Sequence, residues 1–249
     1  MNHKINQQAT KGFTLIELIL AMTFISILLL TIALTIVQIA NIYNKGMITK
    51  EVNISSRSIS TDLDQAMRAS GSFALANHYV STLSGGRLCT GQFSYIWNYA
   101  GALSSQDTNR NQYSGPNTAG NVVIRSGVTR YEISLVKVPD SAASYCIADS
   151  MTHAYPPVNP VGAVEMLRTG DHSLALHYVN VTTSAAVTDS LSAQQLYKVT
   201  YVLGTSDVNA VTGTADQILC KAPGVSGADN NYCNVQKFTI VLRVVSGVN

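Results

Sequence analysis

The apolar positions of this chain change period along its length. From Leu18 to Val37 twenty residues pass without a charge. At 1.5 Å per residue, a helix of that length covers about 30 Å, the hydrocarbon thickness of a bilayer. Beyond it the apolar residues thin to Ile48, Val52, Ile59, Leu63 and Met67, while Lys50, Glu51, Arg57, Asp62, Asp64 and Arg68 fall largely elsewhere. Steps of 4, 7, 4 and 4 mark one face of an amphipathic helix. Together the two stretches predict a single rod from Phe13 to about Ser70, with Gly46 its most bendable point and Ser70-Gly71-Ser72 its end. The stripe from Ile48 to Met67 is too short for the sustained heptads of a dimer seam. It is expected to pack against the helix's own globular body.

From residue 71 onward, helix formers give way to Ser, Thr, Asn, Gly and Tyr. Candidate strands are Gln92 to Tyr99, Asn121 to Arg125, Thr129 to Val138, Leu174 to Thr182, Leu196 to Leu203 and Val235 to Val245. The expected fold class is α+β: a long N-terminal helix packed against an antiparallel β-sheet head. In Thr129 to Val138, Tyr131, Ile133 and Leu135 should share one face. In the last strand, Phe238, Ile240 and Leu242 should oppose Thr239, Val241 and Arg243. The twelve tyrosines include Tyr43 beside the apolar run. Those in strands suit half-buried packing, whereas loop tyrosines such as Tyr113 and Tyr155 suit an adhesive surface.

Only 12% of residues are charged, against about a quarter in ordinary domains. The apolar run accounts for much of the shortfall. Sixteen basic residues face 14 acidic ones, and without Lys4 and Lys11 the counts are equal. A nucleic-acid groove built from the whole surface is therefore not expected, and any polyanion site would be local. Four cysteines, at 89, 146, 220 and 233, include no C-x-x-C pair, so zinc and thioredoxin chemistry gain no support. Of the three possible pairings, Cys220 with Cys233 is preferred, because it closes twelve turn-prone residues. Cys89 would then pair with Cys146; free buried thiols are the alternative.

The first residues decide between an anchor and a cleaved secretory signal. A secretory signal has an apolar core of about 7 to 15 residues and a small-x-small site after it. Here the core is longer, and Gln38-Ile39-Ala40 is a poor cut site. Glu17, near the start of the run, is costly in hydrocarbon unless a fixed positive charge meets it. One candidate is an α-amino group exposed by cutting before Phe13. It lies about 6 Å along the axis of the same helix, and within reach from a staggered neighbour. Lys11-Gly12-Phe13-Thr14-Leu15-Ile16-Glu17, followed by the apolar run, resembles the class III signal of type IV pilins and type II secretion pseudopilins.

That resemblance implies a leader, residues 1–12, removed by a prepilin peptidase after Gly12, with methylation of the new N-terminal Phe13. It implies a transmembrane and filament-core helix at 13–43, an amphipathic extension at 44–70 and a β-rich globular head at 71–249. Glu17 would guide assembly. The implied partners are the prepilin peptidase, other pilin subunits meeting through the N-terminal helix, and an inner-membrane assembly platform. Before assembly the chain would be a single-pass membrane protein; afterwards it would belong to an extracellular or periplasmic filament. Basic residues flank the span on both sides, so only the leader resemblance places the N-terminus in the cytoplasm. Unlike many pilins, the chain has no proline before Pro116. The run Ile59 to Ser70 is similar to the helix exit of W-type minor pilins and J-type minor pseudopilins, and Glu17 speaks against the tip-most pseudopilin. A disulfide-closed loop near the C-terminus looks like the variable region many pilins display. The expected function is a structural, minor filament subunit; the alternative is a filament-displayed binding module, an adhesin or DNA-uptake pilin with a surface or DNA ligand.

No catalytic motif occurs, and the chain is read as a non-enzyme without cofactor. Asp171-His172-Ser173 holds triad residue types, but adjacent residues cannot form a relay. His172 and His177 would lie on opposite faces of a strand. Asp107, Asn109 and Asn111 have the oxygen spacing that opens a calcium loop, yet Thr118 stands where a bidentate acid is needed. Asp229-Asn230-Asn231 is a weaker oxygen cluster. Both are read as solvated turns, so no metal site is assigned.

Overall fold

The computed structural model describes residues 12–82, 85–99, 133–148, 150–151, 155–156, 162–167, 174–183, 194–207 and 209–245. Its contacts divide the chain into two compact units, one ending at Asn44 and the other beginning at Lys45. A single helix, α1 (Leu15–Ser70), contributes to both.

In the first unit α1 is long and apolar enough to cross a membrane. All of its side chains from Leu15 to Ala40 are exposed. The hydroxyls in this stretch bond back to the helix's own carbonyls. Thr23 Oγ1 donates to Leu20 O at 2.9 Å, and Ser26 Oγ to Met22 O, Thr31 Oγ1 to Leu28 O and Thr35 Oγ1 to Thr31 O, each at 2.8 Å. Four polar side chains thus enter an apolar run with their hydroxyl donors satisfied inside the helix.

In the second unit the expected stripe on α1 is buried: Ile48, Val52, Ile59, Leu63 and Met67, together with Ser55, Ser56 and Ala66. The helical assignment runs through Gly46 without a break. A short turn, α2 (Leu75–His78), leads into the strands. The first sheet has the order β1 (Tyr79–Thr82), β2 (Gly85–Cys89), β3 (Phe93–Tyr99), β4 (Ile133–Pro139), β5 (Val164–Glu165). Three longer strands, β6 (Leu174–Thr183), β7 (Gln194–Thr205) and β10 (Val235–Val245), form a second sheet in the order β10-β7-β6. A ribbon of β8 (Val211–Thr212) and β9 (Leu219–Cys220) is separate. All pairings are antiparallel.

Among the described residues the head therefore holds two sheets and a ribbon where one sheet was expected. Both sheets contribute to a single core with α1: Leu88, Tyr95, Trp97 and Leu135 from one, and Leu176, Val181, Tyr197, Val199, Tyr201 and Leu242 from the other. β10 keeps the expected alternation, with Leu242 buried and Val241 64% exposed. β4 departs from it. Leu135 joins the main core, but Val136 and Val138 on the other face join Ile96 in a second cluster flanked by Tyr145 and Ala163. The strand is covered on both sides, which a one-faced pattern does not anticipate. Asn121 to Arg125, and Thr129 to Glu132 with Tyr131, lie outside the described residues.

Gly86 is the clearest glycine requirement. A Cβ there would strike Val80 O and the Trp97 ring, so the close approach of β1, β2 and the tryptophan needs a bare backbone.

Candidate functional site

Gly12, Phe13 and Thr14 precede the helix and are exposed, Phe13 by 86%. No other atom approaches the place of a Gly12 side chain. The Gly12–Phe13 bond thus lies in non-helical, open chain. Helix α1 begins at Leu15, so Glu17 lies in its first turn, and Thr14 caps it. Glu17 Oε2 accepts from Thr14 N and from Thr14 Oγ1, both at 2.9 Å, and Glu17 N donates to Thr14 Oγ1 at 3.3 Å. This is a reciprocal capping box, in which a T-x-x-E pattern satisfies two otherwise orphaned donors at the helix start. The acidic side chain also stands at the positive end of the helix dipole.

Two sequence expectations change here. The helix starts at Leu15, so the axial rise used to place the Phe13 amine relative to Glu17 does not apply. Glu17 also has an intrachain partner, and its place at the head of an apolar run has a local cause apart from any neighbouring subunit. The T-x-x-E signature was present in the sequence and is what could have found Thr14.

The cysteines are joined Cys89 to Cys146 and Cys220 to Cys233, with Cα atoms 6.1 and 5.9 Å apart. The loop closed by the second pair is mostly exposed, and Asp229 shapes its end: Asp229 Oδ1 accepts from Asn231 N and Tyr232 N, both at 3.0 Å. That carboxylate forms a turn. Asp107, Asn109, Asn111 and Thr118, the segment Asp171-His172-Ser173, and Tyr113 lie outside the described residues. His177 sits at a β-bulge in β6, its Nε2 3.0 Å from Thr205 O. Among the described residues no group of three His, Cys, Asp or Glu side chains is placed to hold a metal ion.

Sequence reasoning missed the polar ties between α1 and the sheets. Tyr95, Tyr197 and Tyr201 are fully buried, where half-burial was expected. Each hydroxyl finds a partner. Tyr201 Oη lies 2.8 Å from Ser56 Oγ and from Ser60 Oγ, and donates to Ser56 O at 3.0 Å. Tyr95 Oη donates to Asp62 Oδ2 at 2.6 Å, while Lys137 Nζ meets Asp62 Oδ1 at 2.7 Å and stands 3.9 Å above the Phe93 ring. Tyr197 Oη donates to Phe73 O at 2.6 Å and accepts from Phe73 N at 2.8 Å. Burial, then the Asp62 hydrogen bond and charge, push the Tyr95 phenol well above its ordinary range. These phenols stay neutral and act as ties.

A cleft of about 410 Å³ opens beside the Asp62–Lys137 pair, lined also by Ser58, Phe93, Glu165 and Met166. Its lysine and aspartate are already committed to each other. A core void of about 20 Å³ among Ile59, Trp97 and Tyr201 is too small for a ligand. No family model, no curated protein and no solved structure matches the chain.

Proposed function

We propose that this chain is a pilin-like subunit, a minor one, of a type IV pilus or related secretion filament. It enters the inner membrane through α1, is cut between Gly12 and Phe13, and assembles through the apolar half of its helix. The supporting observation is a conjunction at one place: an exposed, non-helical Gly12–Phe13 bond, a Thr14–Glu17 cap, and an apolar helix with no cover of its own. An isolated chain can keep such a surface out of water only in lipid or against other chains. The two disulfides suit a head on the oxidising side of the membrane.

In the assembled state Glu17 would exchange its Thr14 contacts for the Phe13 amine of a neighbour. The cost of breaking an intrachain cap is then offset by a charge pair in a low-dielectric setting. The decisive experiment expresses the full chain with and without a prepilin peptidase and measures intact mass. Loss of residues 1–12 only with the peptidase, and an uncut membrane-held precursor for Gly12→Ala, is the expected result. Normal processing of Gly12→Ala would refute the assignment.

A further inference from the structure

Asp140 follows β4 and is 7% exposed. Its backbone N donates to Gln92 O at 2.9 Å, which fixes the residue beside the β2–β3 turn. Four donors converge on its carboxylate. Oδ2 accepts from Ser94 Oγ at 2.6 Å and Tyr145 N at 3.1 Å, and Oδ1 accepts from Ser144 N at 2.9 Å and Ser144 Oγ at 2.8 Å. Ser94 is the cross-strand partner of Cys89 in the β2–β3 ladder. Ser144 and Tyr145 open the 3-10 turn Ser144–Cys146. One carboxylate therefore links the strand neighbour of one cysteine to the turn that carries the other. The turn is awkward to form unaided, because Ala143 adopts a left-handed conformation, φ 52°. A second tie, Arg87 Nη1 to Tyr145 O at 2.9 Å, holds its other side.

The two disulfides differ in how much they need such help. Cys220 and Cys233 are 13 positions apart, whereas Cys89 and Cys146 are 57 apart. Chain entropy opposes the longer closure more strongly, so its thiols meet readily only if the fold brings them together first. We propose that Asp140 is a positioning residue for oxidative closure of Cys89–Cys146, setting the Cys146 turn opposite Cys89 before the bond exists. With a small-molecule disulfide such as oxidised glutathione, one protein thiolate attacks a glutathione sulfur and expels one glutathione thiolate, leaving a mixed disulfide. The second protein thiolate then attacks the protein sulfur and expels the other glutathione. The protein loses two electrons, the oxidant gains two, and the two thiol protons pass to the solvent buffer. This inference does not depend on the filament reading.

The test uses the full chain in detergent micelles, reduced and then equilibrated in glutathione redox buffers. After acid quenching and alkylation, mass spectrometry reads each cysteine pair separately. Asp140→Asn turns one acceptor into a donor facing donors, and should lower the effective molarity of Cys89–Cys146 about tenfold or more. Cys220–Cys233, which packs in a separate cluster of the same molecules, should change less than about twofold. Ser94→Ala cuts only the link to β3 and should shift the same pair in the same direction by less; it carries the test if Asp140→Asn does not fold. An equal fall in both pairs would reduce Asp140 to general stability and overturn the proposal. So would no fall in either pair.

Discussion

Replacing Tyr201 by Phe removes one buried oxygen and leaves the ring in place. In the native head that oxygen touches Ser56 Oγ, Ser60 Oγ and Ser56 O, and Ser56 is 3% exposed. A net hydrogen bond contributes about 1 kcal/mol, and stranding a buried partner costs about 1–3 kcal/mol. Ser56 and Ser60 can each turn to a carbonyl one helical turn back, which recovers part of the loss. The expected cost is therefore about 2 kcal/mol, or roughly 4–8 °C in Tm for a body of this size. Trp97, the only tryptophan, is 5% exposed in the same core and reports unfolding by its fluorescence. Urea titrations of Tyr201→Phe, Ser56→Ala and the double variant close a thermodynamic cycle. Removing both partners should cost clearly less than the sum of the single losses, with a coupling of about 1 kcal/mol. Additive effects, or a Tyr201→Phe cost below about 0.5 kcal/mol, would show that the hydroxyl does not tie helix to sheet.

Three further outcomes are expected. Loop-closure entropy gives about 4 kcal/mol for Cys89–Cys146 and about 3 kcal/mol for Cys220–Cys233, so paired serine variants should lower the urea midpoint in that order. Burial of the Asp140 carboxyl opposes its ionisation, but hydrogen bonds from Ser94, Tyr145 and Ser144 outweigh it and hold the group below the ordinary carboxylate range. Its contribution is thus complete above the unfolded value of about 3.9 and lost as pH falls through the lower folded value; wild type and Asp140→Asn should converge in stability toward pH 2, and a gap unchanged from pH 6 to 2 would contradict this. Glu17→Ala should still insert into membranes but enter filaments poorly in an incorporation assay, unchanged incorporation counting against intersubunit pairing.

The helix was legible because its burial has one cause, the greasy stripe of Ile48, Val52, Ile59, Leu63 and Met67. Ser56 was not, since a serine is buried there only because a tyrosine far along the chain brings it a hydroxyl. The long strands of the second sheet could be read from their alternation, and β10 has the expected bounds. β2 was missed: Gly85-Gly86-Arg87-Leu88-Cys89 looks like a loop, yet Gly86 makes room for Trp97, and Arg87 is buried with Nη1 donating to the carbonyls of Tyr145 and Pro156. At the N-terminus the T-x-x-E spacing of Thr14 and Glu17 was legible but went unread, so the local hydrogen bonds of the Glu17 carboxylate were not anticipated.

The tyrosine hydroxyls meet α1 and its exit at Ser56 and Ser60, at Asp62 and at Phe73. Traction along the helix axis would therefore load these attachments in shear, side by side, and they would have to yield together instead of peeling in turn. Held at three successive places, the body is harder to strip from its own helix than a single contact of the same strength would leave it.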